Sequence, residues 1–489
     1  MKYKEIFASR NLKNSIWNLI EVLLGPAILF VSIPIFLAQL GAEDYGVWML
    51  VNSIVIVMQA FNLGLNFSTY KHVSVAIAKD DTDQIRNTLN TNLSFTILIL
   101  IASLILSVFI CLGIYHFNWF VENPSVKPKL ILSIFIGMII LFGKLTEQIL
   151  YSVYRAFEDF KYVTILSILF KFITIIGNII IAMYTQNVVY VLAFSALVTL
   201  LGIFANYKLL YKFVPSYKFK FRLNRALIKH EISYSLFIWL QSIFVIVVYQ
   251  GDRLLVSYKF GLAALSFYAI VATLFNHIHM AFGAMTSWIF PQVAKNKENK
   301  EFVFDLYLRT RNVSLVLSIF LLALFCLISE PLFVFWLGET NYLEIENYVK
   351  WFSVFEFFLI FSNIPILFLN ASGHERFGLK LVSVFTSINF LGILVGLFIF
   401  DSLDAMVILL ASTIIPGMYV LHFFISKRFE KPRTGFLEIF LLFVPSIFGS
   451  GIAVFDPIEF KLISFLLCSF SLYWVYIKQQ RTNFKIMFE

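Results

Sequence analysis

The chain has 489 residues, 60% hydrophobic and 14% charged, where an average soluble protein is roughly 25% charged. So apolar a chain cannot cover its own exterior with polar groups in water, which excludes a soluble enzyme, a disordered tail protein and a secreted disulfide scaffold. The net charge of +9, from 38 Lys and Arg against 29 Asp and Glu, becomes a question of which membrane face holds the positive residues. Cys111, Cys326 and Cys468 each sit alone in an apolar run, so no disulfide or metal site is expected.

Apolar runs of about 20 residues are long enough to cross the hydrocarbon core as helices. They are expected at 15–40, 46–67, 93–114, 130–151, 162–184, 187–207, 232–250, 262–287, 313–336, 350–370, 379–400, 405–426, 436–455 and 459–477. The chain therefore reads as an all-α polytopic membrane protein with about 14 transmembrane helices. The first run is too long, and too closely followed by a second, to be a cleaved signal peptide. Alternation of the barrel kind is absent. With the N-terminus inside, 30 of the 38 Lys and Arg fall on inside segments. Outside lie Lys127, Lys129, Arg253, Lys259, Lys350 and Lys461, while Lys144 and Lys171 lie within spans. That bias places both termini in the cytoplasm.

The basic inside segment 208–231 (Lys208, Lys212, Lys218, Lys220, Arg222, Arg225 and Lys229) follows the sixth span and marks a boundary between halves. Gly41-Ala-Glu-Asp-Tyr-Gly-Val-Trp48 leads into the second span, and Gly261-Leu-Ala-Ala-Leu-Ser-Phe-Tyr268 leads into the eighth. Leu89-Asn-Thr-Asn-Leu-Ser94 likewise echoes Leu308-Arg-Thr-Arg-Asn-Val-Ser314. Both halves start inside and hold six helices, which makes the repeat parallel. The expected organisation is 1–207 as the first half, 208–231 as linker, 232–426 as the second half, and 427–489 as two added helices and a cytoplasmic tail. A cavity is expected between the halves. Tyr211, Phe213, Tyr217, Phe219 and Phe221 interleave the linker's charges, and beside a bilayer an anionic lipid surface suits it better than nucleic acid.

Polar side chains are costly in lipid and normally face the bundle interior or a wet cavity. Five stripes occur at helical spacing: Asn14, Asn18, Glu21 and Gly25; Asn52, Gln59, Asn62 and Asn66; Ser235, Ser242 and Tyr249; Ser266, Thr273 and His277; Glu356, Asn363 and Asn370. Any one of them could be interhelical hydrogen-bond glue. Five together favour a shared hydrated interior. Lys144 and Glu147, three apart, can pair, and Lys171 can snorkel to the interface. Asp252-Arg253 reads either as an interfacial cap or as part of a partly cationic cavity. His277 and His279 read more readily as packing residues than as proton carriers. Asp81 reads as the N-cap of the helix that follows it.

Walker A, His-Glu-x-x-His, Gly-x-Ser-x-Gly and Cys-x-x-Cys patterns are absent, so no built-in ATP hydrolysis, enzyme site or cofactor is indicated. The outer loops are short, where a glycan polymerase or membrane glycosyltransferase more often shows a large extramembrane loop or domain rich in catalytic charge.

Three stretches resemble bacterial polysaccharide flippases: Pro34-Ile-Phe-Leu-Ala-Gln-Leu-Gly-Ala-Glu-Asp-Tyr-Gly-Val-Trp48 with Phe61-Asn-Leu-Gly-Leu65, the run Asp252-Arg-Leu-Leu-Val-Ser-Tyr-Lys-Phe-Gly-Leu-Ala-Ala-Leu-Ser-Phe-Tyr268, and the turn Asn370-Ala-Ser-Gly-His-Glu-Arg376. The chain is similar to the O-antigen (Wzx-type) translocases of the multidrug/oligosaccharidyl-lipid/polysaccharide exporter superfamily. The resemblance implies a transporter in the bacterial inner membrane, not an enzyme. It would move an undecaprenyl-diphosphate-linked oligosaccharide between leaflets by alternating access without ATP, with ion coupling. Membrane lipids, and polysaccharide polymerase and chain-length regulator proteins, are its expected partners; nucleic acid is not. The family cavity is typically cationic. On this reading Lys144, Lys171 and Arg253 attract the diphosphate, and Asn52, Gln59, Asn62 and Asn363 bind hydroxyls. Glu21, Glu147, Glu356 and Asp252 are the candidates for ion coupling. The alternatives are a multidrug/cation antiporter of the same superfamily, which would need a compact acidic pocket, and a membrane glycan polymerase.

Overall fold

The computed structural model describes residues 10–62, 64–121, 123–157, 159–215, 217–286 and 289–428, with 463, 465–467 and 469–470 near the C-terminus. The side chains of Asn14, Asn18, Glu21 and Ser235 lie outside that description, as do Cys468 and nearly all of the spans expected at 436–455 and 459–477.

Twelve α-helices follow in order among the described residues: α1 Arg10–Gln59, α2 Leu65–Ala78, α3 Thr82–Phe117, α4 Lys127–Ala156, α5 Phe160–Thr185, α6 Val188–Phe213, α7 Arg225–Thr286, α8 Ile289–Lys295, α9 Lys300–Leu337, α10 Glu339–Ala371, α11 Glu375–Leu394 and α12 Leu403–Arg428. Nine stretches of them are long and apolar enough to cross a membrane, and Leu403–Ile414 is a shorter apolar helix. The protein is a multi-pass, all-helical membrane protein.

Nine is fewer than the fourteen spans expected: two of these stretches, Phe30–Asn62 and Trp239–Gly283, each run across a glycine break, the span expected at 405–426 corresponds to the shorter apolar helix, and the last two fall almost wholly outside the described residues. Gly41 (φ 74°, ψ 168°) interrupts α1 and Gly261 (φ 79°, ψ −177°) interrupts α7. Only glycine adopts that region readily. The two breaks lie at equivalent places in the two echoed motifs.

Several boundaries move. The stretch expected as 46–67 stops at Gln59, because Asn62 Oδ1 accepts the Gly64 N–H (2.9 Å) and Gly64 turns left-handed (φ 73°). Asn62 therefore sits in a tight turn and Asn66 on α2, so their stripe is not one helix face. The helix expected to end near Asp252 continues to Gly261, which removes the cap reading of Asp252-Arg253. Asp81 caps α3 as read, accepting the Gln84 N–H at 2.8 Å.

α3 is polar inside and apolar outside. Thr96, Ser103 and Ser107 are buried, while Ile101, Ile105, Leu106, Val108 and Phe109 are exposed. A lipid solvent requires this pattern.

The described residues fall into two compact units, divided between Ile270 and Val271. In the first, α4 packs against α3, α2, α1 and α6, and α1 against α5. Asp44, just past the Gly41 break, ties three elements: Lys129 Nζ at the start of α4 donates to its Oδ1 (2.6 Å), and the Val188 N–H opening α6 donates to its Oδ2 (3.2 Å). In the second unit α10 packs against α9 and α12 over an aromatic core, in which Phe275 stacks on Phe352 (6.1 Å) and meets Phe325 edge-on (5.4 Å).

Candidate transport site

Within the first unit, α1, α4, α5 and α6 enclose a cavity of about 300 Å³. Lys144 and Glu147 reach it from α4, Lys171 and Asn178 from α5, Trp48 and Asn52 from α1, and Ser195 and Thr199 from α6. Glycines make room for this. A Cβ on Gly143 would stand 1.9 Å from Thr199 Cγ2, so α4 and α6 approach closely there. A Cβ on Gly202 would stand 2.8 Å from Glu147 Oε1, so that glycine makes the seat for the carboxylate. Asn178 donates to Ser195 Oγ (2.8 Å), and Asn52 donates to Trp48 O (2.9 Å).

Among the described residues no direct ion pair closes between Lys144 and Glu147, although each lies in the other's field, and Lys171 is in the field of both. Two lysines and one glutamate give the cavity a formal net positive charge. Its chemistry suits an anion with several oxygen acceptors.

A second cavity in the same unit, about 660 Å³, takes Gln59, Asn62, Asn66, Lys71 and Gln148, together with Trp239 and Ser242 of α7. Asn62 Nδ2 donates to Gln148 Oε1 (2.8 Å), and Gln148 Nε2 reaches Gln59 Oε1 (3.4 Å). The Trp239 indole N–H is spent on Ala60 O (2.6 Å), leaving the ring as an apolar wall among amides. Asn52 and Gln59, seven residues apart on α1, thus open into different cavities.

Asp252 and Arg253 line neither cavity. Both are buried in α7. The Tyr268 hydroxyl donates to Asp252 Oδ2, and Arg253 lies in the field of the buried Tyr45. The second unit joins Glu356 and Asn363 through His279. Asn363 Nδ2 donates to His279 Nε2 (2.9 Å), which leaves the ring proton on Nδ1 to be donated to Glu356 Oε1 (2.7 Å). Glu356 is 1% exposed.

The structure thus gathers Asn52, Lys144, Glu147 and Lys171 at one cavity, Gln59 and Asn62 at another, and Glu356 with Asn363 at a third place. Asp252-Arg253 stands apart, and the Glu21 side chain lies outside the described residues. Sequence reasoning missed Gln148, Trp239 and the Asp44–Lys129 tie. A glutamine beside Glu147 and an acid three residues after Gly41 were the available signals.

A model of the family described as "Polysaccharide biosynthesis protein" matches residues 11–297, more than half of the chain. No curated protein matches it significantly. Among solved structures, an inward-facing multidrug resistance MATE family transporter of the MOP superfamily superposes with a TM-score of 0.66 at 14% identity, covering 85% of this chain and 100% of that one. The lipid II flippase MurJ, in an inward closed conformation, does so with a TM-score of 0.66 at 14% identity, covering 96% and 99%. A MOP superfamily transporter from Pyrococcus furiosus gives 0.56 at 16% identity, covering 86% and 97%. By its sequence match the chain belongs to the polysaccharide biosynthesis protein family, and it is built on the fold these transporters share.

Proposed function

We propose that the protein is a flippase that carries an undecaprenyl-diphosphate-linked oligosaccharide, an O-antigen or capsule repeat unit, across the bacterial inner membrane by alternating access. A sugar–diphosphate head cannot enter hydrocarbon unaided, because its charges lose their hydration without compensation. The observation that carries the reading is the meeting of Lys144 and Lys171, from two different spans, at one amide- and hydroxyl-lined cavity. The ammonium groups receive the diphosphate, with Asn52 beside them. Gln59 and Asn62, in the larger cavity, bind sugar hydroxyls, and the prenyl tail stays in lipid. Arg253 and Asn363 are further members of the binding set.

Glu147, beside the lysines, and Glu356, held by His279, are the foremost groups for ion coupling, with Glu21 and Asp252 behind them. The moving halves are 1–207 and 232–426, joined by 208–231, with 427–489 appended and both termini cytoplasmic. A polysaccharide polymerase and a chain-length regulator would act on the delivered unit. An antiporter for cationic drugs fits less well, because two lysines face one acid in the smaller cavity.

Leaflet-resolved labelling of the lipid-linked oligosaccharide in a deletion strain tests the reading. Build-up on the inner leaflet supports it. Build-up of single units on the outer leaflet would instead assign a polymerase, and altered drug tolerance with normal glycan would assign the antiporter.

A further inference from the structure

The linker after α6 is an ordered strap. Four contacts hold residues 217–222 along α3 between Asn87 and Ser94. Asn90 Oδ1 accepts both the Tyr217 hydroxyl (2.9 Å) and the Lys220 N–H (3.0 Å). Ser94 Oγ accepts the Arg222 N–H (2.9 Å), and Asn87 Oδ1 accepts Arg222 Nη1 (2.8 Å). Arg86 adds a bond to Pro215 O (3.0 Å). Tyr217 is the strap's anchor: its ring is buried, and burial pushes its phenol above the ordinary range.

Register gives the strap a direction. Lys220 is held at Asn90 and Arg222 at Ser94, four residues farther along α3. Two extended residues and one helical turn both advance about 6 Å, so the strap runs along α3 toward the bilayer. The exposed apolar band of α3 begins at Leu98. The Arg222 bond is therefore about 6 Å below that band, at headgroup depth, and the Lys220 bond about 12 Å below it, just outside the headgroup layer but within reach of it by a lysine side chain. Basic and apolar residues alternate along the strap, Lys218, Lys220 and Arg222 with Phe219, Phe221 and Leu223, and all six are exposed. Among the described residues at the start of α3, Asp83 pairs with Arg86 (3.6 Å) and Asp81 caps the helix.

We propose that this strap is a binding site for anionic phospholipid headgroups of the cytoplasmic leaflet. Lys218, Lys220 and Arg222 take the phosphates, while Phe221 and Leu223 enter the boundary with the acyl chains. The charge alternation and the depth both select a negatively charged surface with an apolar floor. The site is independent of the transported substrate.

The test uses the full-length protein in nanodiscs of phosphatidylcholine alone or mixed with phosphatidylglycerol. Trypsin cuts after Lys218, Lys220 and Arg222, and intact mass reports the rate. Phosphatidylglycerol should slow cleavage several-fold, and high salt should restore it. The K218Q/K220Q variant keeps the Arg222–Asn87 bond. By native mass spectrometry it should lose phosphatidylglycerol retention, at about fivefold per neutralised charge, with unchanged thermal stability. Equal cleavage in both discs with equal lipid retention overturns the proposal. Protection that appears in phosphatidylcholine discs only on adding a soluble cell fraction also overturns it, and assigns the strap to a protein.

Discussion

A Cβ on Gly46 would stand 2.0 Å from the carbonyl oxygen of Leu262. The α1 segment after the Gly41 break therefore lies backbone to backbone against the α7 segment after the Gly261 break. Even alanine collides there with main chain, which cannot step aside as a side-chain tip can. Gly46→Ala should cost about 2 kcal/mol by forced backbone shift, read as a lower midpoint in thermal unfolding of the detergent-solubilised protein. Gly41, five residues earlier, has nothing within 4 Å of its Cβ position and is glycine for its backbone angles. Gly41→Ala should cost about 1–3 kcal/mol for that reason, and shrinking neighbours should not rescue it.

Asp44 joins Lys129 and the first N–H of α6 through its two carboxylate oxygens. Lys129 is about a third exposed, with 31% of its side chain accessible, so solvent screens its share of the pairing. Asp44→Ala should destabilise by about 1–2 kcal/mol, mostly from the orphaned amide and lost packing. Asp44→Asn, which can still accept from Val188, should lose less. The difference between the two midpoints checks the assignment.

Lys144→Ala and Lys171→Ala should each lower surface glycan in a complementation assay at equal expression, by about tenfold if each removes about 1.4 kcal/mol of anion binding. The double variant should fall further. Full glycan display in the double variant would defeat the cation role.

His279 stands between Glu356 and Asn363. His279→Leu leaves a buried carboxylate without its donor and should cost about 3 kcal/mol. Glu356→Gln keeps an acceptor for the imidazole N–H, so stability should hold within about 1 kcal/mol. If Glu356 carries the coupling ion, glycan export should nonetheless collapse in that variant, with the thermal midpoint serving as the control.

What could be read from the chain alone was local. Apolar runs located the described spans, and the matching runs Gly41–Trp48 and Gly261–Tyr268 pointed to two related halves, because both signals sit within a few residues. Pairings between helices were not legible. Asp44 meets Lys129 across 85 residues, and Gln148 meets Asn62 across 86. Tyr307 bonds His422 across 115, a contact with no local signature. The Asn52, Gln59 and Asn62 stripe was visible as spacing, but the Asx turn at Asn62 and Gly64 splits it, and periodicity does not report which neighbour faces which rung. Lys144 and Lys171 could be named as costly in lipid; that one cavity takes both depends on how α4 and α5 pack.

The inverted polarity of α3 bears on how the protein unfolds. Ile101, Ile105 and Phe109 already touch the surrounding acyl chains in the folded state, so melting this helix in a micelle transfers little hydrocarbon into water. Heat-capacity increments track such transfer, and calorimetry should return far less than the roughly 12–15 cal/mol/K per residue of soluble domains. The stability curve would then be nearly flat with temperature, and cold denaturation would recede out of reach.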